Sequence, residues 1–595
     1  MKKPAGDSRR AMLEVVAVAL GFLALTLFDL RPIGRLFATH LAPDDGDPLL
    51  VVYILEWVKR QIVLGLPDLW NANFFFPSHG VLALSDHLLA PAAQALLLSP
   101  FLSTPVAGYN ALLIFAFVGS GTATFWVARQ CGCGRWAALI AAAIFTFSPF
   151  RWHHLNHLQV LTAQWVPLTL WLGHRLLAAP TVRHATPFLA AYLLNLSSGC
   201  YIAYMIHLPL GVLLVAHAMR DGRALLSWRA LRTLLPVAAI AGISGAALFM
   251  PYARAARAME LERQPTEIVE FGASLSSYLS PAAGAGWLPF PVRDGNGGHP
   301  TPFTRMENRL YAGAVATLLL LVGACAWSWR QRIGSRWQVL READLWWLAL
   351  IVWTLLSVVL SFPAGYLAVM RWIPGLSAMR VPTRFYVFTS LGIALLAGRA
   401  AQSLIVLLHR VAAQRLLFAL VLVLTTWELT PDRFHFAPVP PPAALPPVYT
   451  WIAQAPEVGA LLELPVRADV REARAMYAST VHWKPIANGY SGFLPAPFRE
   501  LVEGIPGLPD GKGFELLRHM GVSHLLVHAW DRRLRVARDG QTVVAWRLEH
   551  EGLDMVLAHE DGADLVFQVL PGLRRVPAAD RRSDRRGARG RSTTG

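Results

Sequence analysis

The stretch "APDDGDPLL", Ala42 to Leu50, places three carboxylates in four consecutive positions directly behind an apolar run. That run, Ala11 to Phe28, follows the basic opening "MKKPAGDSRR". It is long enough to cross a bilayer, for which about 18–20 residues are needed. It is longer than the core of a cleaved leader and has no small-residue cleavage site close behind it. It is therefore expected to stay as a first transmembrane helix with its basic end in the cytoplasm. The carboxylates then follow the first crossing, and every later segment takes its side from it.

Of the 595 residues, 54% are hydrophobic and only 15% charged; a soluble protein carries about 25% charged residues. The composition indicates a mainly α, polytopic transmembrane helical bundle. The net charge of +16 suggests nucleic acid at first sight. However, the arginines sit in short clusters between apolar runs, as in cytoplasmic loops, so no nucleic-acid partner is expected. The 4 cysteines lie in or beside apolar segments, and the polar C-terminal region has none. Cys131-Gly-Cys133 lacks zinc-site spacing and reads as a tight turn.

Further spanning candidates are Tyr109–Ala128, Trp136–Phe150, His157–Leu177, Pro187–Ser198, Tyr201–Ala218 and Leu234–Tyr252, then Leu310–Trp327, Leu345–Phe362, Phe385–Ala397 and Leu416–Trp427. Leu88–Leu102 is apolar but interrupted by Pro91 and Pro100. If it does not cross, all the arginine-rich loops (129–135, 175–183, 220–232, 330–341, 399–415) fall in the cytoplasm, giving about 11 spans. The other face then collects the first loop (30–88), "RWHHLNH", the loop Ala253–Arg309, "RWIPGLSAMRVPTR" and the polar tail. The expected layout is a membrane domain over 1–430, a Pro-rich extended linker over 431–448, an α/β extracytoplasmic domain over 449–575 and a disordered basic tail over 576–595. In the α/β domain "VGALLELPV", "VSHLLVHA", "TVVAWRLEH" and "DLVFQVL" read as strands, and "APFRELVEGI" and "KGFELLRHMG" as helices.

Several constellations on that face can carry chemistry. Asp47 precedes Pro48 and a helical run, so it can be an N-cap. That does not account for Asp44 and Asp45, since clustered carboxylates repel unless a cation is near. Trp70, Phe74, Phe75 and Phe76 suit an interfacial aromatic belt. Asp86-His87, at the edge of an apolar run, can orient a histidine, hold a cation or cap the next helix. His153 and His157, four apart, share a helix face if the turn is helical. With a first-loop carboxylate they can ligate a divalent metal, or they can donate to phosphate. Arg371, Arg380 and Arg384 run against the positive-inside trend, which an anionic partner explains: membrane lipid headgroups, or a specific lipid phosphate bound bidentately. Arg254, Arg257, Arg263, Arg293, Arg305 and Glu307 form a second set, or a solvated one. "MYASTVHWKPIANGYSGF", with Trp483 and Tyr490, can bind sugar or dock the C-terminal domain onto the membrane part.

The motifs "GDPLLVVYILEW", "NANFFFPSHGVLALSDHLLAP", "HLNHLQVLTAQWVPL" and "MRVPTRF", with the acidic loop behind the first helix, resemble the bacterial multi-spanning GT-C glycosyltransferases over most of the membrane part. The chain departs from better-known members in lacking an Asp-Glu pair in the first loop and a W-W-D motif. The resemblance implies an enzyme of the bacterial inner membrane, N-terminus cytoplasmic and C-terminal domain periplasmic, that uses a polyprenyl-phosphate-linked sugar donor. It implies Asp47 as general base with Asp45 second, and Arg380, Arg384, His153 and His157 at the donor phosphate. Asp86, His87, Trp483 and Tyr490 are then acceptor-binding or supporting residues. A divalent cation, Mg or Mn, has Asp44, Asp45, His153 and His157 as candidate ligands. The alternatives are a transporter or flippase, and an envelope assembly protein with a periplasmic interaction domain.

Overall fold

A computed structural model describes residues 5–261, 263–279, 306–333, 342–406, 410–431, 434–504, 512–528, 554–562 and 564–571. Among these, six helices are long and apolar enough to cross a membrane: Arg9–Asp29, Pro105–Gln130, Cys200–Leu225, Trp228–Ala258, Pro382–Leu404 and Val411–Glu428. A seventh crossing arises if Leu345–Ser361 and Pro363–Met370, bent by 95°, count as one. The bend falls where Pro363 opens a new helix and Phe362 is extended, because proline clashes with a helical residue before it.

Four other candidates fall short of the roughly 20 apolar residues a crossing needs; for Leu310–Trp327 the helix runs Ala314–Ile333, of which Ala314–Cys325 is the apolar part. Arg135–Thr146 has 12 residues and Val182–Leu196 has 15. The His157–Leu177 candidate breaks into Leu158–Leu161 and Trp165–Ala178. Length and composition thus give six or seven spans against the eleven expected, the difference lying in these short helices. Buried Arg151 stitches the broken region by donating to the carbonyls of Thr146, Ala116 and Leu161. The segment around Leu89–Leu98 has only 10 residues of α-helix before a short 3₁₀ turn. Gly132 turns with φ +88°, and the cysteines are free thiols.

The C-terminal region forms a four-stranded sheet in the order Leu461–Leu464, His524–His528, Asp564–Val569, Met555–Asp561. Its first pair is parallel and the others are antiparallel. The helices Ala496–Gly504 and Lys512–Met520 accompany it; the expected strand "TVVAWRLEH" and the basic tail lie outside the described residues.

The sheet does not end at Leu461–Leu464. Residues 485–487 bond along Leu461, and residues 73–76 of the first loop bond along 486–488 through Phe75 N to Asn488 O (3.0 Å), Phe76 N to Ile486 O (3.0 Å) and Ile486 N to Asn73 O (2.7 Å). The Phe75 ring enters the C-terminal core against Phe498, 4.8 Å between centroids. Position 489 must be glycine for this, because a Cβ there would lie 2.3 Å from Phe75 Cδ1. Phe74 and Phe75 are fully buried rather than interfacial, and Trp70 of the expected belt packs edge-on against Tyr252, 5.4 Å between centroids. One contiguous apolar core runs from Phe117 in the bundle through Tyr53 and Phe75 to Leu526 in the sheet.

The linker is likewise strapped down rather than a free spacer. Ala437–Pro438 pairs with His40–Leu41, and Tyr477 donates to Pro440 O at 3.0 Å.

Candidate active site

Each carboxylate of the acidic loop has a different partner. Asp44 accepts from the Gly46 backbone N–H at 2.8 Å. Asp45 accepts from Arg474 Nε and Nη2 of the C-terminal domain, at 2.9 and 2.6 Å. Asp47 opens the Asp47–Leu64 helix but makes no capping bond, so the capping reading fails. Its Oδ1 accepts from the Tyr490 hydroxyl at 2.8 Å, and its Oδ2 lies 3.3 Å from His157 Nε2. Burial works to raise the Asp47 carboxyl; the bond and charge of His157, the Tyr490 hydroxyl and Arg384 outweigh it and hold it below the ordinary carboxylate value. Asp44 is pushed the other way, chiefly by burial. The three neighbouring carboxylates thus each have a partner of their own.

Asp47 and His157 line a cavity of about 1100 Å³ together with Asp86, Tyr490 and the guanidiniums of Arg257, Arg263, Arg380 and Arg384. Leu50, Val51, Ile54 and Phe249 give it an apolar side. Two of the cations share one acid: Glu267 Oε2 is 3.0 Å from Arg263 Nη1 and 3.9 Å from Arg380 Nη1. Arg263 lies over the Phe493 ring at 3.4 Å and donates to Gly492 O, which ties the C-terminal domain to this wall.

Behind the cavity is a second acid–base set. Glu307 is 1% exposed. Its Oε1 accepts from Arg384 Nη2 at 2.8 Å, and its Oε2 lies 2.8 Å from His154 Nε2. The other ring nitrogen of His154 faces Phe150 O at 2.6 Å. With acceptors on both sides, the ring needs a proton on the Nε2–Oε2 line in addition to its Nδ1–H, although burial works against a second ring proton. Glu307 itself is held well below the ordinary value, since Arg384 and His154 outweigh its burial. The solvated reading of Glu307 is therefore corrected: it is a buried counter-ion.

Other expected residues lie elsewhere. His153 and His157 do not share a helix face, because helix Pro149–His153 ends between them. His153 accepts from Arg309 Nη1 at 2.9 Å, and burial with that arginine depresses it to about 3. It is a neutral acceptor, unsuited to receive a phosphate as a cation. Asp86 accepts from the Cys200 N–H and so holds the start of Cys200–Met205 rather than its own following helix. His87 lies 3.0 Å from the Tyr252 hydroxyl, which donates to Ser85 O; burial lowers His87 to about 4. Trp483 lies under Arg60, 5.0 Å from ring to guanidinium, and beside Trp57. With Tyr490 it belongs to the docked face of the C-terminal domain.

The expected metal set of Asp44, Asp45, His153 and His157 does not assemble. Instead His154, His157 and Glu307 offer ligand atoms within 4.8 Å of one another. Two imidazoles and a carboxylate suit manganese or zinc better than magnesium. A divalent ion there would take the place of the proton between His154 and Glu307.

Comparison with protein families and with characterised protein sequences gives no match. Solved structures do match. The chain is similar to the arabinofuranosyltransferase AftD from Mycobacteria, with a TM-score of 0.53 and 16% identity over 94% of this chain and 40% of that one. It is also similar to the archaeal oligosaccharyltransferase AglB from Archaeoglobus fulgidus, which was solved with an inhibitory peptide and a dolichol-phosphate. That match has a TM-score of 0.46 and 10% identity, covering 89% and 72% of the two chains. The AftD likeness shows a shared fold alone, and this chain spans 40% of AftD's length.

Proposed function

We propose that the chain is a membrane glycosyltransferase that moves a sugar from a polyprenyl-phosphate-linked donor to an envelope acceptor on the extracytoplasmic side. The observation that carries this is the shared cavity: the Asp47 carboxylate together with several arginines, and an apolar side suited to a lipid tail. Asp47 takes the proton of the acceptor hydroxyl. The acceptor oxygen bonds to the anomeric carbon with inversion, and the bond from that carbon to the phosphate oxygen breaks. Its electron pair stays on the phosphate, where Arg380, Arg263 and Arg384 meet the growing negative charge. His157 and Tyr490 orient Asp47. If a divalent ion is used, His154, His157 and Glu307 would hold it, and it would supply further positive charge near the departing phosphate. Asp45, tied to Arg474 outside the cavity, is the weaker base.

The test is mass spectrometry of envelope glycans and glycolipids from a deletion strain complemented with wild type or Asp47→Asn. Asp47→Asn is expected to insert normally and to lower transfer by about 10²–10⁴-fold. Full restoration by Asp47→Asn would remove Asp47 as base. A deletion that changes no glycan would instead favour a transporter or an assembly protein.

A further inference from the structure

A second cavity, of about 1090 Å³, opens between the helices Pro105–Gln130, Trp165–Ala178 and Val182–Leu196. It lies at the far end of the bundle from the acidic loop. The Pro105–Gln130 helix meets that loop through Asn110, which donates to His40 O, and meets this cavity through Trp126 and Gln130. From Asn110 to Gln130 the helix rises roughly 30 Å.

The walls combine two chemistries. Trp126 and Trp171 supply flat apolar surface; Arg175, Arg183, His174 and His184 supply cationic or N–H groups. None of the described lining residues is acidic. The wall is held in shape from behind: His174, 1% exposed, hydrogen-bonds His217 at 3.1 Å, and Trp171 packs edge-on against Trp346 at 5.1 Å. Arginines scattered on a rim are ordinary at a membrane boundary. Arginines in a concave, aromatic-walled site between helices match what a lipid phosphate needs, since the charge meets guanidinium and the tail keeps apolar contact.

We infer that this cavity binds the phosphate headgroup of an anionic phospholipid from the leaflet at this end of the bundle. Arg175 and Arg183 take the phosphate, and Trp126 and Trp171 lie along the glycerol and the start of the acyl chains. The assignment is independent of the reaction at the other end.

The test uses the full-length protein, delipidated in detergent and titrated with phosphatidylglycerol or phosphatidylethanolamine, with bound lipid counted by native mass spectrometry. Wild type is expected to prefer phosphatidylglycerol by about 25-fold, from about fivefold for each arginine near a headgroup. Arg175→Gln with Arg183→Gln abolishes the preference. Arg183→Gln alone, at an exposed position that leaves packing intact, lowers it about fivefold. Arg229→Gln with Arg232→Gln, in the opening turns of the Trp228–Ala258 helix and outside the cavity lining, leaves it unchanged. Equal uptake of the two lipids by wild type, or an undiminished preference in the folded double variant, overturns the assignment. Displacement of phosphatidylglycerol by excess inorganic phosphate also overturns it, because the occupant would then be a soluble phosphate.

Discussion

Two carboxylate–histidine pairs stand side by side, and they differ in what else touches the acid. Asp47 meets His157 at 3.3 Å and keeps 15% of its side chain exposed, on the cavity. Glu307 meets His154 at 2.8 Å with 1% exposed, and Arg384 occupies its other oxygen. The first arrangement has neutral and histidine partners on its two oxygens and leaves part of the carboxylate open to the cavity. The second spends the whole carboxylate on internal partners, so its work is to hold Arg384 and His154 in place. A carboxylate beside a histidine is thus a cavity-facing acid or a fixed counter-ion, according to whether an arginine closes the far side.

The largest effect that can break this comparison is on stability. Glu307→Gln leaves Arg384 buried without its counter-ion, which costs about 3–5 kcal/mol. Thermal unfolding in detergent should show a drop of several degrees for Glu307→Gln and little change for Asp47→Asn. Equal destabilisation by both would mean that Asp47 is a counter-ion as well.

Tyr490→Phe sharpens the contrast from the other side. It removes one hydrogen bond to a charged carboxylate, for which about tenfold in rate is expected. The hydroxyl favours the ionised form, so its loss raises the Asp47 pKa. Activity that needs ionised Asp47 falls away as pH drops through that value; the acid limb of the pH–rate profile should therefore move to higher pH. A drop in rate with an unmoved acid limb would show that Tyr490 acts elsewhere.

The smallest effect concerns a third pairing, in the C-terminal sheet. His528 sits between Asp564 (2.7 Å) and Glu463 (3.0 Å). Burial works to lower it, but the two acids raise it from 6.5 to about 10. A raised folded pKa stabilises fully below the unfolded value, about 6.5, and this contribution is lost as pH rises through about 10. The melting temperature should decline across that alkaline window in wild type, with a flatter slope in His528→Gln. Parallel slopes would deny the double pairing.

Much of this was legible in the chain. The apolar runs, the acidic loop and the first C-terminal strands follow from local composition and period. Arg380 and Arg384 stand out as arginines against the positive-inside trend, Asp47 through the acidic cluster and the family resemblance, and His157 only through a spacing to His153 that the helix break undoes. His154 and Glu307 do not stand out: His154 hides beside His153 in "RWHHLNH", and nothing local says which of two adjacent histidines turns inward once the helix breaks. Glu307 lies between arginines in "TRMENRL", where charge alternation reads as solvated surface. Its burial depends on Arg384, far along the chain, and no periodicity records such a pairing. The fate of Phe74 and Phe75 was hidden for the same reason: a partner more than 400 residues away covers them.

That separation bears on how the protein is made. Asn73 donates to Lys484 O across 411 residues of sequence, and Tyr490 reaches Asp47 across 443. At synthesis rates of about 5–20 residues per second, the acidic loop waits on the order of 20–90 s after emerging before its covering strand exists. Through that interval Phe75 lacks its packing against Phe498, and Asp47 lacks the Tyr490 hydroxyl that favours its charge. The acidic loop therefore gains these partners only when nearly all of the chain has been translated, and a product truncated before residue 484 lacks them.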